Sequence, residues 1–281
     1  MYMLLGKEGG RKMKKYVPGI VLLFLLAAII VGLNDPLSLT EYSVSNSRIP
    51  DSFDGYRIAV VSDLHAERFG ENQQELISLL RSSRCDLICM LGDIVSHDTG
   101  DFAPVWELID GLAGTPMVYV AGNNELSLDN YPGFLSALAD RGVTVLDDMV
   151  QTTLRLDRGS GSILIHGYPF TDSRRFSGRL PVAQMGFYNI LLYHDPYCFP
   201  EVALLDYDLM LSGHMHGGLV RLPVLGSPLE WLGIEPYTKG VYTERAATLI
   251  VSGGLGPHEP LPRFFNGPEV LLITLHPAGT P

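Results

Sequence analysis

Five short apolar runs, each stopping at a glycine or at a polar residue able to bind a cation, constrain the fold of this chain more than any other feature. RIAVV leads into Ser62-Asp63-Leu64-His65, DLICML into Gly92-Asp93, and PMVYVA into Gly122-Asn123-Asn124. Further on, NILLY leads into His194-Asp195 and LMLS into Gly213-His214-Met215-His216. Runs of this length, bounded by glycine and polar residues, read as buried strands. Residues 71–84 and 101–114 carry apolar stripes at helical spacing, among them Leu76, Ile77, Leu80 and Val105, Trp106, Ile109; residues 130–141 and 198–206 repeat the pattern more weakly. Strands alternating with helices predict an α/β domain, whose ligands gather beyond the carboxyl ends of the strands. In the last third, TLIVSGGLG and EVLLITL read as strands with little helix between them, so the sheet is expected to be mixed or doubled.

With 281 residues the chain can bury one large core or two modest ones. Its three cysteines, Cys85, Cys89 and Cys198, are too few and too scattered for a disulfide framework or a thiolate metal cluster. Cys89, inside a strand pattern, is expected as a small core residue.

Residues 1–15 form a basic tail with Lys7, Arg11, Lys12, Lys14 and Lys15, followed by an uncharged apolar stretch over 16–34. About 20 such residues span a hydrocarbon core, so one transmembrane helix is expected to precede the domain. A cleaved signal peptide is the alternative, although no small-x-small site follows Ala28. The positive-inside rule puts residues 1–15 in the cytoplasm and the rest of the chain outside, making a single-pass protein of the cell membrane. Residues 35–54 read as linker and lead-in, and residues 55–277 as the domain itself. The tail carries +4, which leaves −15 on the remainder of a chain whose total is −11. Such an acidic body is a poor partner for nucleic acid, which is bound by neutralising phosphates.

The strand ends supply Asp63, His65, Asp93, Asn123, His194, His214 and His216, all of them able to ligate a divalent ion. Asp-x-His and His-x-His put both side chains on one side of an extended segment, so each pair converges. His97 and His276 are assigned to the surface, and neither His166 nor His258 shows a comparable pattern. Seven ligands exceed one tetrahedral zinc, and the carboxylates are too few for calcium. Two neighbouring ions sharing a carboxylate fit the set.

SDLH, GDIV, GNNE, YHDP and GHMHGG, in that order, resemble the five sequence blocks of the calcineurin-like metallophosphoesterases. The resemblance covers about residues 55–275, and the segment from Arg221 to Leu275 is similar to a bacterial membrane-anchored phosphodiesterase branch. It implies a four-layer αββα sandwich of two mixed β-sheets. It also implies two divalent ions (Mn, Zn or Fe), one held by Asp63, His65 and His216, the other by Asn123, His194 and His214, with Asp93 bridging. Asp93, Asn123, Asn124 and His214 become the catalytic candidates, and a metal-bridged hydroxide is expected to attack phosphorus. Family members commonly have His where this chain has Asn124, and an amide gives up no proton at neutral pH. Either the leaving group is intrinsically good, or His258 serves as the acid, or the activity is low. Arg174, Arg175 and Arg179 form either a solvated loop or a phosphate grip, Arg221 and Arg263 are candidate substrate contacts, and Trp231 is expected to line a cleft or touch the membrane. The implied function is a membrane-anchored phosphodiesterase acting on a phosphate ester, with lipid-linked and envelope esters as candidate substrates. A phosphomonoesterase and a non-catalytic metal-binding scaffold are the alternatives.

Overall fold

Strands covered on both faces need apolar residues at every position, and the central runs of this chain meet that demand. The computed structural model describes residues 8–33, 35–96, 100–170, 180–257 and 261–279. The first half contains α1 (Glu8–Leu33), β1 (Ser38–Asn46), β2 (Tyr56–Val61), α2 (Gln74–Ser83), β3 (Leu87–Leu91), α3 (Ala103–Gly111), β4 (Met117–Val120), α4 (Tyr131–Ala139) and β5 (Thr144–Val145). The second half adds β6 (Thr153–Arg158), β7 (Gly161–Gly167), β8 (Tyr188–Leu192), α5 (Phe199–Val202), β9 (Leu209–Ser212), α6 (Pro228–Trp231), β10 (Gly240–Glu244), β11 (Ala247–Val251) and β12 (Glu269–Pro277). Two six-stranded sheets result, ordered β1-β12-β2-β3-β4-β5 and β10-β11-β9-β8-β7-β6. Both are mixed: β2 to β5 run parallel with β12 antiparallel beside them, and β7, β8, β9 and β11 run parallel between antiparallel β6 and β10.

The period-2 alternation of each strand divides its side chains between two layers. From β2, Ile58 and Val60 enter the space between the sheets, where they meet Cys89, Val118, Ile165, Ile190 and Leu211. Ala59 and Val61 face the other way, against Leu76 and Leu80 of α2, Val105 and Ile109 of α3, and Phe134 of α4. Each large apolar side chain so buried stabilises the fold by roughly 1.5–3 kcal/mol. Outside the second sheet the cover is thinner: one-turn α5 and irregular segments supply Phe199, Val202, Leu180 and Tyr237 against Leu191, Met210 and Leu249. The expected sandwich is therefore present, with its fourth layer mostly loop. All three cysteines are free, and Cys89 is buried.

The expected linker over 35–54 is corrected by the structure. Its residues Ser38–Asn46 form β1, which pairs in parallel with β12 along its whole length. As an edge strand it is only half covered, with Tyr42 and Val44 packed against the inter-sheet core. Its sequence therefore lacks the apolar run that marks a central strand.

Candidate metal centre

The parallel pairings bring the expected polar ends together at one rim. Val61 lies opposite Met90 and Leu91 opposite Val120, so Ser62-Asp63, Gly92-Asp93 and Gly122-Asn123 emerge side by side. Leu192 lies opposite Leu211, which sets His194 next to Gly213 in the facing sheet. The glycines are required by this approach: a Cβ on Gly92, whose φ is +80°, would lie 2.3 Å from the Gly122 nitrogen, and one on Gly213 would lie 1.8 Å from Ser62 Oγ.

Beyond the strand ends the backbone turns left-handed. Asp63, His65, Asp93, His214 and His216 have φ values of 51°, 51°, 49°, 71° and 46°. Such conformations cost of order 1–3 kcal/mol each and persist only where surrounding bonds enforce them. Here Asp63 N–H donates to Gly92 O (3.1 Å) and His65 N–H to Asp93 O (2.9 Å). His214 N–H donates to the Asp63 carboxylate at 3.0 Å.

Two groups of ligand atoms follow, Asp63 with His65 and His216, and Asp93 with His194 and His214, each with its atoms within 4.8 Å of one another. His194 Nε2 spans the two, 3.4 Å from Asp93 Oδ2 and 3.8 Å from Asp63 Oδ1. His65 Nε2 and His216 Nε2 are 3.2 Å apart. Burial alone would raise the Asp63 carboxyl, but His216 and His194 hold it below its ordinary value. Burial is likewise outweighed at Asp93, by His194 and by the Asn124 N–H, so this carboxyl too is held low. Burial works against charge on His194 as well, yet Asp93 and Asp63 push it up to about 10. His214 is lowered by burial and by its neighbour His194.

A divalent ion fits these donors by an independent criterion. Asn123 Oδ1 and His194 Nε2 are buried and have no hydrogen-bond partner among the described residues. A buried polar atom left without a partner costs about 1–3 kcal/mol, which ligation would remove. Asn123, expected as a further donor beside Asp93, His194 and His214, is one of these two residues. Asn124 points elsewhere: its Nδ2 donates to Asp93 Oδ2 at 2.6 Å and its backbone N–H to Asp93 Oδ1 at 2.9 Å.

Several residues around the groups were not anticipated. Glu125 is fully buried and accepts backbone N–H bonds from Asp93, Ile94, Val95 and Gly122 at 2.7–3.1 Å. Burial and the Asp93 charge push its carboxyl up to about 7, against the pull of those donors. Ser96 Oγ meets His65 Nδ1 at 3.2 Å, the His194 ring is held at Leu91 O, and the Phe170 ring lies beside His194 and His214. Arg263, expected at the substrate, is instead spent on Gly253 O, Gly256 O and His216 Nδ1, and Arg221 on Gly217 O and Thr238 Oγ1. His276 is half-buried against Asp54, and His166 is buried between Thr153 and Asn189, away from the ligand groups. His97, Arg174, Arg175, Arg179 and His258 lie outside the described residues.

The pattern of the calcineurin-like phosphoesterase family matches residues 56–218, more than half of the chain. The chain belongs to that family. As a calcineurin-like phosphoesterase it is similar to YkuE of Bacillus subtilis, an uncharacterised metallophosphoesterase, with 28% identity over 246 residues and 85% of both chains covered. It is 25% identical to the phosphodiesterase YaeI of Escherichia coli, over 78% of this chain and 82% of that one. A transmembrane protein with a metallophosphoesterase domain from Danio rerio is 22% identical, covering 92% of this chain and 63% of its own. Membership in the calcineurin-like phosphoesterases, with the two ligand groups, indicates a phosphate-ester hydrolase with a binuclear divalent-metal site.

Proposed function

We propose that this calcineurin-like phosphoesterase is a membrane-anchored phosphodiesterase. One ion is assigned to Asp63, His65 and His216, the second to Asn123, His194 and His214, and Asp93 is shared. The observation that carries this reading is the pair of ligand groups at one rim, supported by two buried atoms without hydrogen-bond partners among the described residues, Asn123 Oδ1 and His194 Nε2. When bound, two divalent ions supply Lewis acidity toward phosphoryl oxygens and activate water at neutral pH. The chain's own residues orient and insulate. Asn124 locks both oxygens of Asp93, Ser62 and the His214 N–H hold Asp63, and Phe170 keeps water from one side of His194 and His214. With its amide committed to Asp93, Asn124 supplies no proton to a leaving oxygen. That favours esters whose leaving group departs unaided.

The anchor is α1. Its window Tyr16–Leu33 is long and apolar enough to cross a membrane by length and composition, and the Danio rerio relative is described as a transmembrane protein. The basic tail is assigned to the cytoplasm and the catalytic domain to the far side, within reach of lipid or envelope phosphodiesters.

The full chain, purified in detergent and loaded with Mn²⁺, Zn²⁺ or Fe²⁺, is expected to hydrolyse bis-p-nitrophenyl phosphate faster than p-nitrophenyl phosphate. Asp93→Asn is expected to abolish that turnover while leaving the far-UV circular dichroism unchanged. A preference for the monoester would replace the diester reading. Tight metal uptake without turnover of either compound would make the chain a binding scaffold.

A further inference from the structure

The rim that carries the ligand groups is also the rim at which α1 joins the domain. Ser38 at the start of β1 pairs with Glu269 at the start of β12, and Leu271 of β12 pairs with Val60 near the end of β2. The end of α1 is therefore beside the carboxyl ends of the strands. It is held there directly: Phe265 N–H donates to Gly32 O at 2.7 Å, and the Phe264 ring occupies the place of a Gly32 side chain. Phe264 in turn bridges to Val220, with Arg221 N–H donating to Phe264 O and Phe264 N–H to Leu219 O.

The segment that follows Leu219 exposes apolar rather than polar side chains. Val224, Leu225, Trp231, Leu232 and Ile234 are exposed, and Leu261 joins them from the neighbouring segment. Between Leu219 and Ile234 the only charged residues are Arg221 and Glu230. Both are engaged within the domain, Arg221 with Gly217 and Thr238, Glu230 with Thr238 and Tyr242. Tryptophan beside exposed leucines suits the boundary between headgroups and acyl chains. Next to the α1 end, a cleft of about 320 Å³ is lined by Leu33, Phe69, Leu255, Pro262 and Arg263. Arg263 also donates to His216, so the cleft shares a wall with one ligand group.

We propose that residues 220–234, with Leu261, form a surface that lies in the headgroup layer of the bilayer entered by α1 and presents the ligand groups to phosphate esters of membrane lipids. This rests on the anchored-phosphodiesterase reading and narrows its substrate to an amphiphile. An anchor alone would leave the domain free to face any direction; a second contact beside it turns the rim toward the membrane.

The test uses the full chain in phosphatidylcholine liposomes. The chain has two tryptophans, so Trp106→Phe leaves Trp231 as the reporter and Trp231→Phe leaves Trp106. Trp231 emission is expected to shift to the blue and to be quenched by lipids brominated near the headgroup end of the acyl chain, and Trp106 emission to be unaffected. Equal, weak quenching of both in protein that floats with the liposomes overturns the docking surface and leaves the anchor intact. A Trp231 shielded from bromolipid and from aqueous acrylamide alike also overturns it, in favour of a second copy or another protein covering the patch. Failure to float removes the anchor and this proposal together. In a second arm, Val224→Asp and Leu232→Asp are expected to slow release of p-nitrophenol from phosphatidyl-p-nitrophenol in the same liposomes about tenfold or more. Turnover of soluble bis-p-nitrophenyl phosphate should stay unchanged. Equal loss on both substrates, or loss on neither, overturns the proposal.

Discussion

Asp93 is held by three hydrogen bonds to neighbours that flank it in the fold: its backbone N–H donates to Glu125, and its carboxylate accepts two from Asn124. Asn124 is therefore a positioning residue for the Asp93 carboxylate. Supporting bonds to metal ligands are typically worth 10–100-fold in metal affinity. Asn124→Ala is expected to weaken metal retention by about that factor, read by competition with a chelator, with the thermal midpoint of the metal-free protein little changed. The types and spacing of the ligand residues were legible in the sequence because each sits where an apolar strand stops. The use made of Arg221 and Arg263 was not, since a guanidinium on a substrate and one on backbone carbonyls leave the same letter. His166 shows a different consequence of burial. Burial lowers its pKa below the ordinary 6.5, against the bond to Asn189, so the folded state binds fewer protons than the unfolded chain as the pH falls past that value. Its contribution is fully present above pH 6.5 and is lost as the pH drops toward the folded pKa. The unfolding free energy from urea titration is expected to fall below pH 6.5 by up to about 1.4 kcal/mol per pH unit from this group, and to fall less steeply in His166→Gln.

The loops after β3 and β4 are joined through one side chain. Glu125 gathers N–H groups from residues 93, 94 and 95 of the first loop and from Gly122 of the second. Glu125→Gln keeps the volume but turns one accepting oxygen into a donor facing donors. Loss of hydrogen bonds to a buried charge is worth about 1.5–3 kcal/mol each, so a destabilisation of at least about 2 kcal/mol is expected by urea denaturation. Nothing in the letters GNNE separates this glutamate from one that opens a helical turn; only the approach of the two loops gives it four partners. At the same scale, β2, β3, β4, β8 and β9 were legible because doubly covered parallel strands spell themselves as apolar runs. The helices α2, α3 and α4 were legible from their stripes, though each is a few residues shorter than its periodicity predicts. β1 was not, and neither was the β6–β7 hairpin. Half-exposed β1 and β6 alternate polar and apolar residues too loosely to stand out from a linker, and buried β7 has an apolar run of only three residues, Ile163 to Ile165.

At the scale of the whole molecule, two sheets pack face to face and bring the buried carboxylates of Asp63 and Asp93 to one rim. Ions that bind there bind only the folded state, since the ligands come from strand ends more than 150 residues apart, from Asp63 to His216. Such linkage stabilises by about 2.7 kcal/mol at a free ion concentration 100 times Kd. The thermal midpoint is expected to rise with added Mn²⁺ or Zn²⁺ and to fall with EDTA, and Asp93→Asn should respond far less. The sequence by itself determined the alternation of strand and helix, the donor chemistry at the strand ends and the apolar stretch before the domain. Those are short-range properties, set by periodicity and side-chain type within a few residues. The tertiary structure alone decided which loops Glu125 joins, which arginines are spent on backbone, and that β1 pairs with β12 so that α1 meets the domain at the ligand rim. Pairings between residues as far apart as Ser38 and Glu269 depend on how the chain closes on itself, and local pattern carries no record of that.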